Sequence, residues 1–154
     1  TGDVLLFAHA DTRLPEDAID HVRVALRDPE VPGGNFLLRF SPSTPVAIAL
    51  TAYTHFRRTL LGVYGGQSAI FVRRTVFERL GGFGPLPLLE DYEFVSRLEE
   101  AGATAYLQAF AETSARRFNG REWEAFGAWM LIRFLHRLGV PPARLVRFYA
   151  DVRD

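Results

Sequence analysis

Short apolar runs alternate with amphipathic stretches along most of the chain, and this alternation restricts the fold more than any single motif. Val4–Ala8, Asn35–Phe40, Ser68–Val72 and Thr104–Ala109 read as strands. Between them lie helical segments. One runs from Pro15 to about Arg27 with Ile19, Val22, Val24 and Leu26 on its apolar side; the others are Pro45–Leu61, a short helix capped by Thr75 and running to Leu80, and Glu90–Ala101. Two helices, Gly120–Leu138 and Pro141–Tyr149, close the chain. Pro29, Pro32, Gly33 and Gly34 mark a turn, Gly62, Gly65 and Gly66 a loop, and Gly102 and Gly139 helix stops. The pattern predicts an α/β layer fold, a mixed, mostly parallel sheet flanked by helices. The unbroken apolar run Val4–Ala8 predicts a strand buried on both faces.

Size and composition agree with one domain over residues 1–154. A hydrophobic share of 48% with 23% charged residues supports a buried core. The 18 basic residues, all arginine, balance 18 acidic ones, which argues against nucleic acid as the partner. The absence of cysteine removes disulfides, thiolate catalysis and cysteine-type zinc sites. No run of about 18 apolar residues occurs, so no ordinary transmembrane helix is expected.

Five constellations can carry chemistry. His9 and Asp11 follow the first strand; on an extended segment residues two apart point the same way. The pair can converge on a manganese or magnesium ion completed by phosphate, or Asp11 can cap the next helix with His9 a plain loop residue. Glu90 and Asp91 open a helix, where acids complement the dipole; apolar Leu88, Leu89 and Tyr92 can equally desolvate Asp91 into a general base. Gly65 and Gly66 allow close backbone approach to a ligand, and Gln67 can hydrogen-bond a sugar or phosphate; the same residues also suit a simple turn. Arg116 and Arg117 can clamp a diphosphate or be an exposed basic pair. The tryptophan- and arginine-bearing segment 121–138 packs on the sheet or lies on a membrane surface.

Taken together these residues resemble family 2 glycosyltransferases of the GT-A (Rossmann-like) fold. Gly2–Pro15 is similar to the strand and metal motif of that family. Gly66–Arg74 with Phe77 and Gly81-Gly82-Phe83 is similar to the stretch that follows, and Leu89-Glu90-Asp91-Tyr92-Glu93 to its glutamate–aspartate motif. The match spans about Gly2 to Phe118, with residues 119–154 as C-terminal helices of a bacterial uncharacterised subgroup.

The resemblance implies inverting, metal-dependent transfer of a sugar from a nucleotide diphosphate to an acceptor hydroxyl. Asp11 would bind the divalent metal with His9 nearby, and Asp91 would deprotonate the acceptor, oriented by Glu90. Gly66, Gln67, Arg116 and Arg117 would line the donor and acceptor. A cytoplasmic location is expected, and the membrane-surface reading of segment 121–138 would make the enzyme peripheral at the inner face of the membrane. His9 stands where the family's D-x-D motif has its first aspartate. Ser114 and Phe118 replace the glutamine and tryptophan of processive members, which argues against a polymer synthase.

The family's first two βα units have no counterpart here, so the resemblance implies only part of the fold. It also implies a sheet edge covered by a second copy or by another segment. A non-catalytic module of the same fold and a nucleotidyltransferase are the alternatives. A haloacid-dehalogenase phosphatase is disfavoured, because His9 occupies the position of its nucleophilic aspartate.

Overall fold

The structure, a computed structural model, describes residues 2–115 and 122–150. The elements are β1 (Val4–Phe7), β2 (Thr12–Arg13), α1 (Ala18–Ala25), β3 (Gly33–Ser41), α2 (Pro45–Leu61), β4 (Ile70–Arg73), α3 (Arg74–Arg79), α4 (Glu90–Ala101), β5 (Ala105–Ser114), α5 (Glu122–Arg137) and α6 (Pro142–Ala150). The architecture is α/β around a five-stranded mixed sheet in the order β1-β4-β3-β5-β2.

The expectation of a mostly parallel sheet is corrected. Only β3 and β5 run parallel; β1–β4, β3–β4 and β2–β5 are antiparallel. Apolar runs report burial and carry no information on strand direction, which is why the alternation misled. Strand β1 is likewise not buried on both faces. It sits at an edge, hydrogen-bonded to β4 alone, with Val4 exposed and Leu5, Leu6 and Phe7 half-buried.

Local chemistry sets the helix ends. The Thr44 side chain accepts from the Ala47 N–H at 3.1 Å, Pro45 fills the first turn, and Gly62 closes α2 with φ 62°. Thr75 is not the cap of α3; it is an exposed residue inside that helix, which begins after Arg73. Helix α1 starts later than Pro15 and buries Ala18 and Val22, while Ile19 and Val24 face solvent.

The sheet is covered on both faces. On one, Ala18 and Val22 of α1 pack on Phe36, Phe71, Leu107 and Ala109. On the other, Phe94, Val95 and Leu98 of α4 pack on Ile70 and Val72. Phe7, Phe77, Phe83 and Phe94 form a ring cluster with centroids 4.9–5.5 Å apart, which fixes the Gly81-Gly82-Phe83 loop under β1. Arg97 secures the same loop, donating to Gly82 O at 2.8 Å while paired with Glu93. Gly33 and Gly34 are not in a turn. They are the first residues of β3, between β4 and β5 in the middle of the sheet.

Candidate active site

Two segments meet at the carboxyl end of β1. The first is the 3₁₀ turn Gly66–Ser68 before β4; the second is the start of α4. The Gly66 N–H donates to Asp91 Oδ2 at 2.6 Å, and the Tyr92 N–H donates to Asp91 Oδ1 at 2.8 Å. Both carboxylate oxygens are therefore held by main chain, and each retains lone-pair capacity for another donor.

A side chain at either glycine would displace its neighbours in this contact. A Cβ on Gly66 would lie 2.6 Å from His9 Nε2 and 3.4 Å from Asp91 Oδ2. One on Gly65 would lie 2.8 Å from Asp91 Oδ2 and 2.8 Å from Tyr92 Cζ. The bare backbone of Gly66 thus lies against both the His9 imidazole and the Asp91 carboxylate.

Asp91 is held above the ordinary carboxylate pKa, first by burial. The Gly66 hydrogen bond opposes this, the Glu90 charge adds to it, and the Tyr92 hydrogen bond and His9 act in the lowering direction. Tyr92, packed beneath, has its phenol pushed up by burial and then by the Asp91 charge.

The backbone is strained on both sides of this contact. Ala69 has φ 51° just after Gln67 and Ser68, and Leu89 has φ 66° just before Glu90 and Asp91. These are the only non-glycine residues with positive φ among those described. Strain of this kind persists where surrounding structure imposes it, and it concentrates at functional sites.

The structure brings His9, Gly66 and Asp91 together, with Glu90 exposed beside them. It removes the geometric argument that paired His9 with Asp11. The Thr12 N–H donates to His9 O at 3.0 Å, so residues 9–12 form a turn and the two-residue alternation does not apply. His9 is exposed and aimed at Gly66, while Asp11 is half-buried and its carbonyl accepts from Ser114 N. Gln67 lines the adjoining cleft with Tyr92. Arg116 and Arg117 lie outside the described residues.

Sequence reasoning missed a second polar centre. Arg58 is buried and donates to Asn35 Oδ1 at 2.7 Å and to Thr104 Oγ1 at 2.7 Å, with Glu99 Oε1 at 3.7 Å. Its guanidinium lies over the Tyr64 and Tyr106 rings at 4.6 and 5.2 Å. Arg57 and Arg58 are the only full charges of α2, a signal visible in the sequence. The network joins α2, β3 and the start of β5, and so anchors the chain that leads into Gly65 and Gly66.

A divalent ion fits this site only on restricted terms. Among the described residues no three ligating side chains cluster. Asp11 would be the hard-oxygen ligand, with the remaining positions filled by water and substrate phosphate, a pattern that suits magnesium or manganese. No protein-family model matches the chain, and no curated protein matches it.

Proposed function

We propose that the chain carries the catalytic part of an inverting glycosyltransferase with a partial GT-A fold, moving a sugar from a nucleotide diphosphate to an acceptor hydroxyl. One observation carries this reading. The residues that resemble separate motifs of family 2 glycosyltransferases meet at one point, with Asp91 bound to Gly66 and His9 against the same glycine.

In this reading Asp91 is the base. Burial raises its proton affinity, and its two main-chain hydrogen bonds fix the carboxylate without using every lone pair. The acceptor oxygen forms a bond to the anomeric carbon as the bond to the diphosphate breaks on the opposite side. The hydroxyl proton passes to Asp91, and the electron pair leaves with the diphosphate. Glu90 raises the basicity of Asp91 through its charge. Gly66 keeps the wall between His9 and Asp91 thin enough for substrate to approach. Asp11 would hold the divalent ion, which when bound offsets charge on the diphosphate.

Manganese with a nucleoside diphosphate is expected to raise the melting temperature. At about a hundredfold excess over Kd the rise is on the order of 5–10 °C. Asp11→Asn removes the manganese-dependent part of that rise. No response to any nucleoside diphosphate, with manganese present, rejects the reading.

A non-catalytic module is the second reading, favoured by one observation: Asp91 already ties the Gly66 turn to α4 through main-chain hydrogen bonds. It predicts that Asp91→Asn alters stability and no turnover. A nucleotidyltransferase has no specific observation in its favour.

A further inference from the structure

In the run from Ala125 to Leu135, Arg133 is the one charged residue. Its guanidinium lies over the Tyr92 ring at 3.9 Å and over Trp129 at 5.6 Å, and its Nη2 is buried without a hydrogen-bond partner. An orphaned donor on a cation requires an explanation, and an anion that accepts from it supplies one.

Arg133 lines a cleft between α2 and α5 together with Tyr53, Arg57, Tyr92, Met130 and Phe134. The cleft extends past Tyr92 to Gln67, one residue from Gly66. Its inner end therefore adjoins the residue bonded to Asp91.

The outer end is apolar. Leu61 of α2 and Phe134 of α5 line the cleft and are 54% and 59% exposed. Ile48, Ala52, Phe56 and Leu60 continue α2 as an exposed row at four-residue spacing, and Leu131 and Leu138 extend the face of α5. Apolar surface of this extent marks an interaction site. Helices α2, α5 and α6 together contain six arginines and two glutamates in sequence, so the surroundings favour an anion.

We propose that the α2–α5 cleft binds the phosphate of an anionic membrane lipid at Arg133, while the exposed apolar faces of α2 and α5 rest on the bilayer. A free phosphate would satisfy Arg133 and leave both faces bare; a lipid in a bilayer satisfies the cation and covers them. Contact is from the surface, since among the described residues no helix is long and apolar enough to cross a membrane. A hydroxylated headgroup placed there reaches toward Gln67 and Asp91, which makes such lipids the acceptor class; this last step rests on the glycosyl-transfer reading.

Flotation with phosphatidylcholine vesicles, with and without phosphatidylglycerol, tests the site. Binding is expected to be at least about tenfold tighter with phosphatidylglycerol present. Arg133→Gln lowers that preference by about fivefold. Phe134→Ser with Leu60→Ser, both on exposed positions that the fold does not use, weakens binding to both vesicle types and leaves the melting temperature within a few degrees. Absent flotation, equal binding to the two vesicle types, or a response to soluble glycerol phosphate without vesicle binding overturns the proposal. Vesicle binding without any response to nucleoside diphosphates supports the lipid site and overturns only its role in sugar transfer; the reverse pattern overturns the lipid site alone.

Discussion

Asp91→Asn is expected to lower sugar transfer by at least about a hundredfold, the range over which a positioned general base acts. Parent activity rises with pH through a limb set by Asp91. Burial places that limb above the ordinary aspartate value of about 3.9, and the asparagine variant lacks it. The variant also exchanges an acceptor for a donor opposite one of two backbone N–H groups, at a cost of about 1–3 kcal/mol. Circular dichroism and a urea titration on the same sample separate this cost from the loss of turnover. Full activity in a folded variant rejects Asp91 as the base. The linkage has a definite sign. Folded Asp91 holds its proton more tightly than unfolded Asp91, so its contribution to stability falls as pH rises from about 3.9 to the raised folded value, and is constant above that.

Gly34→Ala is expected to be the most destabilising single-methyl change in the sheet. The added Cβ would lie 2.0 Å from Ala105 O and 2.9 Å from Phe71 Cζ. The carbonyl belongs to main chain and cannot rotate away, so β3 must move off β5. The cost is about 3 kcal/mol or more, at the upper end of overpacking, with a fall in melting temperature of roughly 6–12 °C. Gly127→Ala in α5 is the control, since nothing lies within 4 Å of its added Cβ. It is expected to stabilise by roughly 0.5–1 kcal/mol through helix propensity. Equal urea midpoints for the two variants would contradict the β3–β5 packing.

The same glycine shows where sequence reading ran out. Gly33 and Gly34 follow Pro29 and Pro32, and glycine after proline ordinarily signals a turn. Here the glycines are needed because the β4 and β5 backbones approach β3 on either side. Helix α2 is legible because Pro45 and Gly62 bracket it, and the end of α4 because Gly102 follows it. Strand β2 has only two residues, too few to show a period. Gly66 and Asp91 were each legible as candidates, but their contact spans 25 positions and depends on the loop after α2 folding back over α4. The two-residue alternation that placed His9 beside Asp11 does not apply, because residues 9–12 form a turn where the rule assumes extended backbone. Arg133 left a clear signal, a lone charge in an apolar run, and its neighbours Tyr92 and Trp129 became meaningful only once α4 and α5 were adjacent.

Ala69 and Leu89 bear on how the molecule assembles. Their left-handed backbone costs of order 1–3 kcal/mol each, and no local sequence preference offsets it. An isolated peptide containing either residue avoids that conformation, so neither segment can nucleate its own shape. In the folded protein the pairing of β4 and the seating of α4 on the sheet impose the geometry. The contact between Gly66 and Asp91 therefore depends on the sheet and α4 together, and loosening either is expected to release it.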